Sequence, residues 1–518
     1  MTRPTRFLLL PAHGLQASVG NASAAATAVL TELVHKPGAT ALRTRLHGVL
    51  KATAKAGAKL GTAAFNLVAS LNEDGVKLVE STPEMMAALR FEHPGLRAVP
   101  ERFCHPAVAT VPVPRRPAKP AGATPAAAKK LVVSVVNAVT GDPIAGVRVI
   151  GFTDYANRLG DMRATAGTGK ATLSVTGSGT YERVYAQHDH PGLWSFLKKN
   201  VPTSGTLTIE LTPLDLSATD SLRHFHNIGA DLTVGSGVRV GVIDSGIDAA
   251  HPDLVVTGGL GCVPGSPEDQ FGPSGSHGTH VAGIIAGRGA TPTGVRGVAP
   301  GANVFSYRVF DDTTNSGSSF GVVKAIRRGI ADGCDLLNMS LGFDPDPVTG
   351  LPVADVAIQE AIAEAHAAGV VVVVAAGNDG RQPVSYPAMD DLAVAVSAVG
   401  RKGLFPPKSS ESGDVAAPFG TDAKNFLAAF SNVGTALDVT GAGVGVVSTV
   451  PGGHAPMSGT SMACPAVTGV LARLLADTPA VLTMTRNADR SDAIKALLFA
   501  RAVSLGLGVS NEGKGLPA

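Results

Sequence analysis

Three short segments carry side chains able to move protons and attack a carbonyl. The first follows the apolar run Val238 to Ile243 and reads Asp244-Ser245-Gly246-Ile247-Asp248, then His251-Pro252-Asp253-Leu254. A carboxylate directly after a buried strand either caps the next turn or serves chemistry. The second, Ser276-His277-Gly278-Thr279-His280-Val281-Ala282-Gly283, reads as a helix start in which glycine lets another backbone come close. His277 and His280 are spaced i, i+3, but an HExxH glutamate and a third ligand are missing, so the pair is not read as zinc-binding. The third, Ser458-Gly459-Thr460-Ser461-Met462-Ala463-Cys464-Pro465, leads into the apolar helix Ala466 to Leu475. A serine at a helix start usually only caps it. Here Gly459 leaves room for a substrate, and Pro465 is expected in the first turn, where a missing amide costs least.

The elements that would hold these groups are legible from residue 215 onward. Apolar strands near 238–243, 303–308, 335–340, 370–375 and 392–398 alternate with helices near 277–287, 320–332, 355–368 and 461–475. Helix 355–368 puts Ile358, Ala361, Ile362 and Ala365 on one stripe, and Val370 to Val374 is continuously apolar, as a strand covered on both faces must be. The expected fold is therefore α/β, a parallel sheet with helices on both sides. Ligands of such sheets meet the carboxyl ends of the strands, which is where the polar residues of interest fall.

In chain order the candidate groups are Asp, His and Ser. The segments VGVIDSGIDAAHPDL, SHGTHVAGIIAG and SGTSMACPAV closely resemble the three signature blocks of the subtilisin-like serine proteases (subtilases), with the likeness running from about Leu216 to Leu516. The resemblance implies an endopeptidase in which Ser461 attacks the scissile carbonyl and His277 relays its proton to the leaving amine. Asp244 would fix and stabilise the imidazole. Strand 370–376 ends in Gly377-Asn378-Asp379-Gly380, similar to the family block that supplies an oxyanion donor, so Asn378 and the Ser461 amide are assigned that role. Asn338-Met339-Ser340-Leu341-Gly342 resembles the edge segment that pairs with an extended substrate, which assigns Ser340, Leu341 and Gly342 to substrate binding. The specificity pocket is assigned to Ala375, Ala376, Gly377, Asp379 and Ser385, with Asp379 at its rim favouring basic side chains.

No cofactor is implied as required. Many subtilases bind calcium at the aspartate that Asp253 matches, but the loop Gly287-Arg288-Gly289-Ala290-Thr291-Pro292-Thr293-Gly294 offers no carboxylate or amide side chain. The strong calcium site is read as lost, and no metal ligand is assigned. Cys464 is read as packing against the sheet. A catalytically silent relative that merely binds peptides is the rival reading; the presence of every residue needed for chemistry argues against it.

The rest of the chain is divided as follows. Residues 1–105 read as a small ferredoxin-like α+β domain in split-βαβ order, with strands near 6–10, 64–71, 76–80 and 97–103 and helices near 21–35 and 83–91. Residues 76–104 resemble the last half of the inhibitor prodomains that accompany subtilases, and an insertion near 36–62 departs from the compact family pattern. This implies an intramolecular inhibitor and a zymogen, with residues about 98–105 over Ser461 and self-cleavage between His105 and Lys130. Residues 106–130 form a Pro/Ala-rich linker. Residues 131–214 read as a β-sandwich with strands near 131–137, 147–152, 171–175, 182–187 and 206–211. Part of it resembles carboxypeptidase-regulatory-like or transthyretin-like modules. Residues 215–518 form the peptidase domain.

Composition sets the outer limits. The 518 residues carry 43 Lys+Arg against 41 Asp+Glu, a net charge of +2, with no block of like charge, so a nucleic-acid partner is excluded. No apolar run reaches the roughly 18 residues needed to span a bilayer, so a membrane partner is not expected. Four scattered cysteines read as buried thiols. The first apolar stretch stops after four residues at Pro11, so Arg6 to Leu10 reads as a strand rather than an export signal. That favours a cytoplasmic location, with secretion as the alternative.

Overall fold

Val371, Val373 and Ala375 enter one apolar cluster while Val370, Val372 and Val374 enter another. A strand with alternate side chains in two cores must lie between two helical layers. The computed structural model describes residues 5–11, 22–33, 39–46, 65–72, 75–93, 95–116 and 128–518. Most of the expected insertion near 36–62, and residues 117–127 of the linker between 106 and 130, fall outside these residues.

The C-terminal region is built on one sheet of β13 (Arg239–Asp244), β14 (Val256–Gly261), β15 (Asn303–Arg308), β17 (Leu336–Met339), β19 (Val371–Ala375), β20 (Val394–Arg401), β21 (Asn425–Leu427) and β22 (Val439–Ala442). Its order is β14-β15-β13-β17-β19-β20-β21, with β22 also pairing β20, and all pairs except β20–β21 are parallel. Helices α4 (His277–Ala286) and α7 (Thr460–Ala476) line one face, and α5 (Ser319–Ala331) and α6 (Val356–Ala367) the other. The chain winds outward in both directions from β13, so the carboxyl ends of β13, β17 and β19 share a crevice. The hairpin β23 (Val446–Val450) and β24 (Gly453–Met457) braces α4, with Thr449 Oγ1 donating to Thr279 O and Ser448 Oγ to His280 O, both at 2.8 Å.

The N-terminal region contains β1 (Thr5–Leu10), α1 (Ala22–Glu32), β2 (Phe65–Ser70), β3 (Lys77–Ser81), α2 (Pro83–Glu92) and β4 (Arg97–Pro100), with an antiparallel sheet in the order β2-β3-β1-β4. Thr82 Oγ1 accepts from Met85 N at 3.4 Å with Pro83 in the first turn, so Thr82 caps the start of α2. One sheet face, with Leu9, Phe65 and Val79, packs under Leu30, Met85 and Leu89. Leu8, Leu10 and Leu78 on the opposite face join the cluster formed by α5 and α6, so this sheet is docked on the peptidase helices.

Between these regions lie β6 (Lys129–Asn137), β7 (Arg148–Asp154), β8 (Leu159–Ala164), β9 (Lys170–Val175), β10 (Thr180–Gln187), β11 (Phe196–Pro202) and β12 (Gly205–Leu211). They form two sheets, β11-β10-β7-β8 and β12-β6-β9, around Leu131, Val133, Val149, Tyr181, Val184 and Ile209. Strands β8 and β11 have no counterpart in the sequence reading. Gly160 explains part of this, because a Cβ there would lie 2.0 Å from Gly151 O, so β8 pairs with β7 only through a residue that β-propensity disfavours.

The sandwich is fixed to the C-terminal region. Trp194 packs with Val295 and Val447, Leu197 N donates to Lys408 O at 2.8 Å, and Ser410 N donates to Ser195 O at 3.0 Å. All four cysteines are buried and free. Among the described residues no helix is long and apolar enough to cross a membrane.

Candidate active site

Strand β13 ends in a carboxylate with no exposure, Asp244, whose Oδ1 accepts from Ser245 N at 2.6 Å and lies 2.7 Å from His277 Nδ1. That bond leaves His277 Nε2 as the ring's free nitrogen, and Nε2 has no hydrogen-bond partner. The approach depends on Gly278. A Cβ there would lie 2.4 Å from Gly246 O and 3.1 Å from Asp244 Oδ1, so a larger residue would push α4 away from β13. Ser245 Oγ accepts from Gly278 N at 2.9 Å and ties the two segments together.

His280 has a different fate. Its Nε2 lies 3.1 and 3.0 Å from the Val446 and Ala455 carbonyls, and burial holds its pKa down to about 3. It is a neutral structural residue, and no group of three or more metal-ligating side chains occurs among the described residues.

Helix α7 packs against α4 and presents Ser461 in its first turn. The Ser461 hydroxyl donates to Ser340 O at 2.9 Å, so in this rotamer it is turned away from His277 Nε2. The serine–imidazole hydrogen bond the resemblance implies is therefore not formed in this arrangement, and such bonds often tighten only in the reacting complex. Pro465 lies beyond the first turn, one turn later than the sequence reading placed it. Lacking an N–H, it cannot bond the carbonyl four residues back, that of Ser461, and Ser340 Oγ donates to this oxygen instead at 2.9 Å. Cys464 Sγ is within 3.2 Å of Asn338 Oδ1, and burial pushes its thiol pKa up, so it is a packed thiol rather than a nucleophile.

Asn378 follows β19. Its Oδ1 accepts from Thr460 N at 2.9 Å and Thr460 Oγ1 at 3.0 Å, which fixes the amide so that Nδ2 is the end left over. This buried Nδ2 has no partner. An oriented donor without an acceptor is costly in a folded protein and fits a site where negative charge develops.

The chain itself fills the cleft. Strand β5 (Phe103–Pro106) lies between β16 (Gly317–Ser318) and β18 (Leu341–Phe343), antiparallel to both, with Leu341 opposite Pro106 and Gly342 opposite His105. Ala107 follows; its N–H donates to Ser340 O and its carbonyl accepts from Ser461 N, both at 3.1 Å. Ala109 N then donates to Ser458 O at 2.9 Å. A Cβ on Gly459 would sit 2.6 Å from Ala107 O, so the glycine does make room for a backbone. The residue over Ser461 is thus Ala107, two positions past the expected 98–105 tail, because β5 continues in register as far as Leu341, the first residue of β18.

The remaining assigned positions are linked to one another through Ser385 and Asn432. Ser385 Oγ donates to Ala376 O at 3.0 Å, and Gly377 takes φ +106°, where a Cβ would strike Asn432 Nδ2 at 2.4 Å. Gly342 lies near the same hydroxyl, with Ala375 and Ala376 buried behind it. Asp379 is exposed, and its Oδ2 accepts from Asn432 Nδ2 at 3.0 Å. Sequence reasoning missed Asn432, Thr460 and Ala107. Thr460 sits inside a motif already quoted; Asn432 carries no local signal. Asp253 lies apart from the cleft, its Oδ2 accepting from His454 Nε2 at 2.7 Å and Val295 N at 2.8 Å.

Comparison with known proteins agrees with this geometry. The family model of the subtilases (Peptidase S8) matches residues 235–515. Subtilisin NAT of Bacillus subtilis subsp. natto is 39% identical over 250 residues, 47% of this chain and 57% of that protein. Subtilisin of Bacillus pumilus is 38% identical over 250 residues, 47% of this chain and 79% of its own length. Subtilisin Savinase of Lederbergia lenta is 39% identical over 248 residues, 48% and 78% respectively. The matched part thus spans little more than half of the first of these relatives, and the chain belongs to the subtilase family.

Proposed function

We propose that this chain is a serine endopeptidase made as a zymogen, whose first substrate is its own Ala107–Val108 bond. One observation carries the reading: the Ala107 carbonyl accepts from Ser461 N while the preceding residues are paired as a strand on both sides. Extended main-chain pairing positions a peptide with little regard to its sequence.

In the proposed reaction Ser461 Oγ turns from Ser340 O and attacks the Ala107 carbonyl carbon, and His277 Nε2 takes its proton. Asp244 keeps the ring's Nδ1 protonated and stabilises the imidazolium. Ser461 N and Asn378 Nδ2 donate to the oxyanion. His277 then gives the proton to Val108 N, the C–N bond breaks, and water releases Ala107 from the acyl-enzyme by the same steps in reverse. The N-terminal domain, still paired through β5, would remain as an inhibitor until it dissociates. Other substrates would be extended or unfolded polypeptides.

Catalysis is proposed to need no cofactor. The donors His454 and Val295 N–H already fill an Asp253 oxygen and do not suit a cation there. Asp379 is proposed to favour basic residues modestly, its carboxylate being exposed although shared with Asn432.

A fluorophosphonate probe with intact-mass readout tests the reading. One adduct on Ser461 after loss of residues 1–107, together with turnover of an unfolded protein, is expected. Peptide binding with neither adduct nor turnover would instead identify a silent peptide binder.

A further inference from the structure

The segment after Ala107 does not leave the molecule; it runs onto the sandwich. Val111 packs against Ile150, Phe152, Tyr185 and Leu197. Four residues later Arg115 pairs with the outer side of β8 in parallel, its N–H donating to Arg158 O at 2.6 Å and its carbonyl accepting from Gly160 N at 2.9 Å. β8 is the terminal strand of its sheet, so this side is otherwise an unpaired edge. The Arg116 guanidinium reaches Asp161 Oδ1 at 3.2 Å from Nη2 and 3.3 Å from Nε. Asp161 is 2% exposed, and its other oxygen accepts from Ser174 N at 2.9 Å, so the carboxylate is held in a fixed direction. Arg163 Nη1 also lies 3.0 Å from the same Oδ1, so the two guanidinium groups share this oxygen.

We propose that this sandwich surface is a substrate-binding exosite for the polypeptide downstream of the bond being cut, and that residues 108–116 are its resident occupant. The site accepts an apolar side chain at the fourth residue after the scissile bond. It pairs main chain on the β8 edge near the eighth, and it matches Arg or Lys at the ninth through Asp161. The proposal rests on the peptidase reading, since the scissile position sets the count. Two features make it a site rather than a resting place for a linker. The sandwich is held at a fixed distance from Ser461 by Trp194 and the main-chain bonds to Lys408 and Ser195. The three contacts also fall on an apolar floor, a strand edge and a buried carboxylate, which are the elements of peptide recognition by strand addition. After self-cleavage the tethered 108–116 segment would compete with substrates at high local concentration, so longer substrates carrying the matching residues gain most.

The test uses the self-processed enzyme and three peptides that share one cleavage sequence and extend twelve residues beyond the bond, with Arg, Ala or Glu at the ninth. Turnover of a short peptide ending three residues after the bond shows separately that the peptidase works. The expected order of kcat/KM is Arg above Ala above Glu, with roughly a twofold to fivefold gain for Arg over Ala, the range of a partly exposed ion pair. In Asp161→Asn the Arg-to-Ala ratio should fall to about one. Equal kcat/KM for the three peptides in the unaltered enzyme, with the short peptide turned over, would overturn the exosite. A preserved Arg preference in Asp161→Asn would overturn the role of Asp161. No turnover of the short peptide would instead overturn the peptidase reading.

Discussion

The N-terminal domain and the β-sandwich both lie against the peptidase, but by different means. The first enters the cleft through β5 and is rimmed by charged contacts: Arg97 with Glu360, Ser318 Oγ with Glu101, and Arg102 with the Asp344 carbonyl. The second is set by a buried tryptophan and by main-chain bonds to the 408–410 segment. A strand wedged into a catalytic cleft is suited to leave once the chain is cut after Ala107. An aromatic anchor continuous with the cut chain is suited to stay. On the proposed reading one region would act as a removable stopper and the other as part of the mature enzyme, which is the difference the following experiments address.

The largest expected effect is on the anchor. Trp194→Ala should cost about 3–5 kcal/mol of docking and packing stability, the usual range for emptying a buried aromatic site. Trp194 is the single tryptophan of the chain, so its fluorescence reports the contact directly. The altered protein should show protease-sensitive sandwich residues while the peptidase core keeps its protection. Next comes Asn378→Ala, expected to lower kcat about 10²–10³-fold with little change in KM, a magnitude taken from subtilisin itself rather than from this geometry. An unchanged kcat would mean that Nδ2 does not meet the oxyanion.

The stopper should respond to pH. Glu101 is pushed above its ordinary value of 4.5, first by burial, against smaller opposing effects of the Ser318 hydroxyl and Arg6. A raised carboxyl means the bound state holds the proton more tightly than the free fragment. The contribution to binding is therefore complete below 4.5 and lost as pH rises through the raised value. The cleaved N-terminal fragment should dissociate more readily near neutral pH than at pH 4 to 5, and Glu101→Gln should flatten that dependence. The smallest effect concerns Asp379→Asn, expected to reduce cutting after Lys and Arg relative to Leu and Phe by a few-fold; an identical profile would remove Asp379 from specificity.

Much of the site was legible because its groups stand where element type changes. Asp244 ends an apolar strand, His277 opens a helix beside a necessary glycine, and Asn378 follows a run of valines. What escaped depended on register and on distance along the chain. Ala107 faces Ser461 only because β5 pairs with β16 and β18 as far as Pro106, and no local pattern gives that end point. β8, Leu-Gly-Asp-Met-Arg-Ala, lacks alternation and contains Gly160 at a close approach, so it reads as a turn. Asn432 acts through Asp379 and Gly377, which lie more than fifty residues earlier. Pro465 lies in the second turn because the helix starts at Thr460, five residues before it and ahead of the apolar run that opens at Ala466.

The central claim is that the chain crossing the cleft is held for cutting at one bond. Purified protein and its Ser461→Ala variant can be incubated side by side and read by intact mass. Only the unaltered chain should resolve into fragments ending at Ala107 and beginning at Val108. The same fragments from both proteins, or a break at another position in the unaltered chain, would contradict it.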